Sequence, residues 1–265
     1  MTHSTVTRAR FPKVTTRAYV GSRADAARWV RDTLRIQIME DAIGSLFSSD
    51  RSLPGENNLS ASFGVSRNVV REALDLLRRE GLINRIPGVG TIRTSSKMCQ
   101  RLDELKGLAE SLEGYHVSVD NRVLADRTVS ANALVAQKLG VDEGSDVVFV
   151  ERLRIVDGIP FSLDDSYLRT DFAQELLKAD LLSKDLFSVI EELEHTTLGW
   201  AEVTTEAVAA DESIADILQV PIGSPLLLVQ RIIYLDDGTP IDLEVIKYRG
   251  DRFYLQSTLK RARSA

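Results

Sequence analysis

The chain has 265 residues, 43% of them hydrophobic and 27% charged, which is typical of folded globular domains and excludes a disordered or collagen-like chain. Its 33 Lys and Arg against 39 Asp and Glu give a formal net charge of −6, and its single cysteine, Cys99, excludes an intrachain disulfide. No apolar run approaches the roughly 18 residues of a membrane span and no secretory signal is visible, so we expect a cytoplasmic protein that does not associate with membranes.

The N-terminal region predicts an arm followed by one amphipathic helix. Residues 1–18 are polar and basic, and we expect them to form a mobile arm. Over residues 24–43, apolar side chains recur every three or four positions, which predicts a helix with one buried face. The sequence LPGE at residues 53–56 then opens a second helix.

The stretch from Leu53 to Gly90 has the layout of a helix-turn-helix followed by a hairpin. Residues 59–63 end the second helix, Gly64 allows a sharp turn, and Ser66 is placed to cap the next helix with its hydroxyl. One face of that third helix is apolar, and the opposite face carries side chains that reach phosphates and base edges. This polar face consists of Arg67, Asn68, Arg71 and Arg78.

A glycine-rich hairpin follows the third helix. Gly81 ends the helix, and residues 82–86 and 91–94 are strand-like on either side of a tight turn. Such a turn is small enough to enter a minor groove of DNA. The order of these signals predicts a winged helix-turn-helix DNA-binding domain over residues 19–95. The alternative is a plain solvated helix with arginines on its wet face.

The charge distribution agrees with a DNA-binding first half. Residues 1–100 hold 16 Lys and Arg and 9 Asp and Glu, a net charge of +7, whereas the remaining 17 and 30 give −13. A basic module joined to an acidic one is expected when only the first must meet the phosphate backbone. We therefore expect double-stranded DNA as a partner of the first half.

The second half contains an internal repeat, residues 139–167 and residues 218–248. Each copy has a Gly-Ser turn, an apolar strand with one matched arginine (Arg152 or Arg231), an Asp-Gly-x-Pro turn and a returning strand. Further elements follow from apolar spacing and alternation. The predicted helices are 131–139, 172–178, 186–193 and 214–218, and the additional strands are 122–130 and 200–209.

Together these units predict an α+β domain over residues 119–260, in which one antiparallel sheet carries helices. A linker is expected at residues 96–118, with a short helical pattern at residues 102–112. The whole chain is therefore expected to be an α+β protein, with an N-terminal winged helix-turn-helix domain and a C-terminal antiparallel sheet.

The chain resembles the GntR-family transcription regulators of the HutC subfamily from about Tyr19 to Phe253. The winged-helix motifs stand here as LPGE at 53–56, VSR at 65–67, VREAL at 70–74, EG at 80–81 and GVGT at 88–91. The second half resembles the UTRA effector-binding domain, which has a chorismate-lyase-like fold. Its signatures appear as ERLRIVDGIP at 151–160 and YRGDR at 248–252. Two motif sets in the correct order are more specific than either set alone.

The resemblance implies that the third helix and the wing contact DNA. The implied contact residues are Glu56, Asn57, Ser66, Arg67, Asn68, Arg71, Gly88 and Gly90. The chemistry agrees, because an arginine fork grips a phosphate or a guanine at two points. Asn57 stands where relatives often have arginine, and Asn68 and Val69 replace frequent threonines, so we expect an operator sequence of its own.

Strand alternation places two arginines of the second half on one face of the sheet. Arg152 and Arg154 are two residues apart, and Asp242, Glu244 and Tyr248 likewise share one face of the last long strand. Neighbouring arginines repel one another and are commonly balanced by an anion or by carboxylates. The pattern therefore predicts either a site for a small anion or an Arg–Asp network that ties the hairpins together without a ligand.

In sugar-phosphate-sensing relatives the matching positions bind the effector. The resemblance implies an effector site made of Arg152, Arg154, Asp164, Asp185, Asp242 and Tyr248. Asp164 and Asp242 are one methylene shorter than the glutamates usual there, and Asp185 stands where serine is often found. We therefore expect a different or larger anionic ligand.

The resemblance also implies a homodimer whose two winged helices bind a palindromic operator. Effector binding would shift the relative domain orientations and change operator affinity, usually by relieving repression. We expect no cofactor, and no enzyme activity, because nothing in the second half offers a base poised near a nucleophile. We expect no metal site, because His3, His116 and His195 lack metal-ligand spacing. The alternatives are a ligand-independent DNA-binding protein and a chorismate-lyase-like enzyme acting on a small acid.

Overall fold

The computed structural model of the protein describes residues 21–44, 52–93, 97–115, 117–170, 185–194 and 197–261. The chain divides into two units, Met1–Ser96 and Lys97–Ala265. Two predicted features, the arm at residues 1–18 and the helix at residues 172–178, lie outside the described residues.

In its described part, the first unit consists of helices α1 to α3 and a two-stranded hairpin. The elements are α1 (Arg23–Gly44), α2 (Glu56–Phe63), α3 (Arg67–Arg79), β1 (Ile83–Ile86) and β2 (Gly90–Arg93). The apolar stripes meet in one core, in which Leu34 of α1 and Leu77 of α3 are completely buried. Trp29 packs edge-on against Phe63, with ring centroids 5.6 Å apart. Arg31 of α1 forms a 3.1 Å salt bridge with Glu80, the C-cap residue of α3, and this contact joins the two helices.

The turn between α2 and α3 is held by Gly64 and Ser60 rather than by a serine cap. Gly64 adopts φ +62 and its N–H donates to the carbonyl of Ser60, whose hydroxyl donates to the Val65 carbonyl at 2.6 Å. Ser66 is the N-cap residue of α3, as predicted, but its hydroxyl makes no capping hydrogen bond. Its backbone carbonyl instead accepts from Val69 N and from the next amide, at 3.0 and 3.2 Å.

The hairpin forms the predicted wing. Strands β1 and β2 pair antiparallel, from Ile83 opposite Arg93 to Ile86 opposite Gly90. Val89 N donates to Ile86 O at 3.1 Å, and Gly88 has φ +79, so the tip is a turn that requires glycine at this position. The wing is therefore a closed, exposed turn.

The second unit begins with a short strand, a helix and a 3₁₀ turn. Strand β3 (Met98–Arg101) pairs parallel with β10 (Phe253–Gln256), and helix α4 (Leu108–Leu112) and a 3₁₀ turn (Glu113–Tyr115) follow. Residues 97–115, predicted to lie in a linker, therefore pack in the second unit. The apolar side chains of Leu108 and Leu112 explain this, because both are buried in a core cluster of that unit.

A six-stranded antiparallel sheet forms the centre of the second unit, with strand order β4-β5-β6-β9-β8-β7. The strands are β4 (Val119–Ser130), β5 (Asp146–Val156), β6 (Ile159–Arg169), β7 (Leu198–Ala209), β8 (Pro225–Leu235) and β9 (Pro240–Arg249). The helices between them are α5 (Ala133–Leu139), α6 (Leu186–Glu194) and α7 (Glu212–Leu218). The two copies of the repeat thus form two hairpins that meet at the β6–β9 pair.

Strand alternation gives the sheet two differently covered faces. One face packs its apolar side chains against α5 and α7. The other face packs against α6 at one end and against α4 at the other. Between these last two apolar clusters lies a layer of charged and polar side chains.

Candidate functional site

The three arginines predicted to form the polar face of α3 are exposed to solvent. The side chains of Arg67, Arg71 and Arg78 are 57%, 51% and 59% exposed. Ser66 and Asn68 are exposed beside them at the first turn of the helix. The residues predicted to form the polar face therefore lie together on the surface of one helix, where guanidinium groups can reach an anionic polymer.

Glu56, the first residue of α2, gathers arginines from two other elements. Its Oε2 accepts from Arg71 Nε at 2.8 Å and lies 3.9 Å from Nη2 of Arg67, and its Oε1 lies 3.6 Å from Nη1 of Arg85 on β1. Arg71 uses only its Nε in this bond, so its two Nη groups are available for a fork-like contact. We infer that Glu56 positions these arginines, since a carboxylate itself repels phosphate.

A groove between α3 and the wing has arginines on both walls. It is lined by Glu56, Arg71, Leu74, Asp75, Arg78, Ile83, Arg85 and Thr91. At the wing tip Gly88 and Gly90 have φ +79 and +117, with open space where a Cβ would stand. Asn57 is exposed at the start of α2. The arrangement fits a phosphate backbone in the groove, with α3 and the wing reaching into the DNA on either side.

In the second unit, a layer of ionisable and polar side chains is buried on the sheet face that α4 and α6 cover. Each member is at most 7% exposed. The layer consists of Arg152, Arg154, Ser162, Asp164, Ser166, Arg231, Asp242 and Glu244, with Asp185 beside it at the start of α6. Burial of so many charged groups is unfavourable unless each is paired or contacts a ligand.

Two of the buried arginines are paired with carboxylates. Arg154 Nη2 donates to Asp185 Oδ1 at 2.5 Å. Arg231 donates through Nε and Nη2 to Oε2 of Glu244, at 2.7 and 2.6 Å. Burial lowers the pKa of both guanidinium groups, but the neighbouring carboxylates outweigh it and raise each pKa above its usual value. These two pairs are closed ion pairs.

Although Nε of Arg154 also lacks a partner among the described residues, Arg152 is the least satisfied of the three arginines. Its Nε and Nη1 are buried and have no hydrogen-bond partner in the part of the chain that the structure describes. Burial and the adjacent guanidinium lower its pKa. Its cross-strand neighbour is Asp164, just as Glu244 faces Arg231 in the second copy of the repeat. Aspartate is one methylene shorter than glutamate, and Asp164 instead accepts the Ser162 hydroxyl at 2.6 Å.

Asp242 and Ser166 also carry buried polar atoms that lack partners among the described residues. These atoms are both carboxylate oxygens of Asp242 and the Oγ of Ser166. Burial and the nearby Glu244 raise the pKa of Asp242 well above its ordinary value, outweighing Arg231 and Arg152, which lower it. The layer therefore offers an open guanidinium and open acceptors on one face of the sheet.

Tyr248 lies at the end of the layer, opposite Ser162, and makes the contacts of a core residue. Its ring stacks on Phe253 at 3.8 Å between centroids and meets Phe161 edge-on at 5.9 Å. Burial raises the pKa of its phenol. Of the effector residues predicted from the sequence, Tyr248 is thus the one most embedded among apolar side chains.

Sequence reasoning did not name Arg85, Ser166, Arg231 or Glu244 as site residues. Arg231 is the matched arginine of the repeat and Glu244 shares a face with Asp242, so these two had a signal. Ser166 is two residues from Asp164 on β6, so strand alternation places both side chains on the same face of the sheet. Arg85 had no distinguishing signal, because its approach to Glu56 depends on how the wing packs against the helices.

Replacing Asp242 with asparagine should stabilise the protein progressively more as the pH rises. An unfolded aspartate ionises near a pKa of about 3.9, whereas burial raises the pKa of folded Asp242. Between these two pKa values, Asp242 is ionised in the unfolded state but still protonated in the folded state. The free energy of unfolding of the wild type therefore falls as the pH rises, and the variant, which has no ionisable group there, lacks this loss.

Urea unfolding of both proteins between about pH 5 and about pH 8 measures this difference. Asp237→Asn is the control: hydrogen bonds from Thr239 lower the pKa of Asp237, so this carboxyl is ionised in both the folded and the unfolded state above about pH 5, and the difference between the control and wild type should not change over this range. A difference between Asp242→Asn and wild type that does not change with pH would contradict the prediction.

Among the described residues, no helix is long and apolar enough to cross a membrane. Within the same residues, no three His, Cys, Asp or Glu side chains are grouped so as to hold a metal ion. His3, His116 and His195 lie outside the described residues.

Comparison with known proteins identifies both units. Residues 114–254 match the UTRA domain, and residues 28–92 match the bacterial regulatory proteins of the gntR family. The transcriptional repressor NagR of Bacillus subtilis is 31% identical over 204 residues, which cover 77% of this chain and 84% of NagR. The chain belongs to the GntR family of bacterial transcription regulators.

Another relative and one solved structure are also similar to this chain. The regulator GmuR of Bacillus subtilis is 26% identical over 80% of this chain and 91% of its own. The crystal structure of PhnF from Mycobacterium smegmatis has the same fold, with a TM-score of 0.64 and 24% identity over 88% of this chain and all of PhnF. The predicted α+β fold and the winged helix followed by a UTRA domain, as in the HutC subfamily, are confirmed.

These matches assign a role to each unit of the GntR-family chain. The helix-turn-helix unit binds DNA, and the UTRA unit binds a small-molecule effector. The prediction of a transcription regulator rather than an enzyme is confirmed, because the matched relatives are regulators.

Replacing Glu56 with glutamine should weaken operator binding by this regulator about fivefold, or about 1 kcal/mol, because an amide no longer fixes the three guanidinium groups. Fluorescence anisotropy with labelled operator at fixed salt measures the effect. Glu72→Gln is the control, since it removes the same charge from a glutamate paired with exposed Arg23. Operator binding by Glu56→Gln as tight as that of the control would contradict the positioning role.

Proposed function

We propose that this GntR-family regulator is a homodimeric repressor whose UTRA domain binds a small anionic effector in the buried polar layer. The observation that carries the proposal is Arg152, which is 2% exposed and has two guanidinium nitrogens without a partner among the described residues. A buried cation without a partner is strongly unfavourable, and the neighbouring Arg154 adds repulsion. An anion bound beside Arg152 would offset both effects.

The effector also carries hydrogen-bond donors. Even when protonated, as its raised pKa favours, the Asp242 carboxyl keeps an open acceptor oxygen, and the Oγ of Ser166 is open in the same layer. Unmade hydrogen bonds at buried groups cost free energy, so a ligand hydroxyl or amine that satisfies them gains affinity and specificity. Hydroxylated or amino-bearing acids and phosphate esters are therefore the compounds to test first.

The proposed regulation couples this site to the winged helix. Two winged helices related by a two-fold axis would bind operator half-sites about one helical turn apart, or a multiple of it. An effector that binds one arrangement of the domains more tightly shifts the population toward it and changes operator affinity. NagR is named a repressor, and for this chain we propose repression relieved by the effector.

Native mass spectrometry of the full chain with an operator duplex selected from random DNA tests the dimer. The chain has a mass of 29.4 kDa, and we expect two chains on each duplex. One chain per duplex, with no loss of affinity when one half-site is scrambled, would contradict the proposal.

A structural ion network is the second candidate for the buried layer. The closed pairs Arg154–Asp185 and Arg231–Glu244 favour it for those four residues. Thermal unfolding with a panel of phosphorylated and carboxylated metabolites separates the two roles. The effector proposal expects a saturable rise in melting temperature in the wild type that is lost in Arg152→Gln. No rise across the panel, or an equal rise in both proteins, would favour the network.

A further inference from the structure

We propose that Asp185 is an internal anion, which occupies Arg154 and thereby makes the effector site selective for a singly charged group such as a carboxylate. The inference rests on the proposed function, because it assumes that the effector anion binds at the Arg152–Arg154 pair. Asp185 is then a specificity-determining residue and competes with the effector for one of two arginines.

The contacts of Asp185 are those of a bound anion. The residue is 6% exposed, and its Oδ1 accepts from Arg154 Nη2 at 2.5 Å. Its Oδ2 accepts from the backbone amides of Ala109 and Glu110, at 2.8 and 3.4 Å. A guanidinium and two backbone amides thus converge on one carboxylate, which is the donor set that proteins use for carboxylates and phosphates.

Gly107 shows how closely the chain is built around this carboxylate. A Cβ at Gly107 would stand 2.5 Å from Oδ2 and 2.8 Å from Cγ of Asp185. Gly107 has φ −67, which any residue adopts, so the backbone conformation does not require glycine. Glycine is needed at this position because the Cβ of any other residue would push the Asp185 carboxylate away from Arg154.

The charge of Asp185 limits what can bind next to it. Asp164 Oδ2 already lies 4.0 Å from Nη1 of Arg154, so Arg154 faces two carboxylates and keeps only its Nε open, whereas Arg152 has two open nitrogens, Nε and Nη1. Burial and the Arg154 charge lower the pKa of the Arg152 guanidinium, and the charge of Asp185 is close enough to oppose this shift. A dianion at Arg152 would therefore be repelled by a fixed negative charge, whereas a single charge finds one open guanidinium.

Titration calorimetry of the full chain with inorganic phosphate, at constant ionic strength, tests the inference. Asp185→Asn keeps the shape and removes the charge, and we expect it to bind phosphate about tenfold or more tightly than the wild type, as when one close charge pair is gained. Asp165→Asn is the matched control, because Asp165 pairs with Lys247 at 2.7 Å on the opposite face. We expect this control to behave like the wild type.

Two further variants separate competition from a structural effect. Adding Arg152→Ala to Asp185→Asn should abolish the gained phosphate binding, which a merely structural role of Asp185 would not do. Gly107→Ala displaces the carboxylate by steric contact while keeping its charge in the chain, and should also gain phosphate binding. It provides the test if Asp185→Asn does not fold.

Equal phosphate affinity in the wild type, Asp185→Asn and Gly107→Ala would overturn the internal anion. The proposed function would survive that outcome if an anionic metabolite still raises the melting temperature of the wild type but not of Arg152→Gln. Loss of that Arg152-dependent shift would instead remove the proposed function and the inference together.

Discussion

Replacing Arg71 with alanine is expected to weaken operator binding by about 10- to 100-fold at fixed salt, which corresponds to one lost fork-like contact. The Arg71 side chain is 51% exposed on α3, and its Nε donates to Glu56 Oε2 at 2.8 Å. Holding Nε fixes the plane of the guanidinium, so that little side-chain freedom is lost when the two Nη groups bind DNA. Arg67→Ala is expected to cost about 1–3 kcal/mol if Arg67 contacts a base.

Anisotropy titrations over a range of salt concentrations measure this effect and identify its kind. Loss of a phosphate contact lowers the magnitude of the salt slope by about one, whereas loss of a base contact removes preference for the operator over random DNA. Arg28→Ala is the charge-matched control, since Arg28 is exposed on α1 and pairs with Asp25. An Arg71→Ala variant that binds the operator as tightly as Arg28→Ala would contradict the assignment of α3 as the recognition helix.

Replacing Asp164 with glutamate is expected to weaken the response to this chain's own effector, lowering effector affinity by about tenfold or more. In the second copy of the repeat, Glu244 reaches Arg231 and closes the pair at 2.6 Å. Asp164 occupies the equivalent register opposite Arg152 but is one methylene shorter. A glutamate there, as is usual in sugar-phosphate-sensing relatives, should reach Arg152 and reduce the space and the open guanidinium available to this chain's own effector.

The converse variant, Glu244→Asp, is the matched control because it removes one methylene instead of adding one. Both proteins are first compared with the wild type by thermal unfolding, and then assayed for effector-dependent changes in operator affinity. We expect the effector response to be weakened in Asp164→Glu and retained in Glu244→Asp. A full response in Asp164→Glu would contradict the view that the open guanidinium of Arg152 is the anion site.

Much of the fold could be predicted because its signals are local. The apolar stripe of α3 and the positive φ of Gly64 and Gly88 reflect short-range chemistry, so the helix-turn-helix and the wing followed from the sequence. The two Asp-Gly turns predicted the hairpins of the sheet for the same reason. The order of the six strands was not predicted, since strand pairing depends on contacts between distant parts of the chain.

The failures also have physical causes. The hydroxyl of Ser66 was expected to cap α3, but backbone amides there are satisfied by its carbonyl. The linker predicted over residues 96–118 contains β3, which is too short to predict without its partner β10. Short segments fold according to their tertiary contacts rather than their own propensity.

In the candidate effector site, alternation predicted which side chains share a face but not which of them are paired. Arg152 and Arg154 have the same residue type and orientation, yet only Arg154 has a closed ion pair. Its partner Asp185 lies 31 residues along the chain, and the other contacts of Asp185 come from Ala109 and Glu110, about 75 positions earlier. Such pairings depend on side-chain length and strand register, which a single sequence does not provide.

The most direct test of the account is the operator affinity of the full chain, measured by anisotropy with a panel of anionic metabolites, for the wild type and for Arg152→Ala. We expect at least one compound with a single negative charge to change wild-type operator affinity by about fivefold or more, and to have no effect on Arg152→Ala. A panel without any effect on the wild type, or an effect that persists unchanged in Arg152→Ala, would contradict the central claim that the buried arginine layer is the effector site.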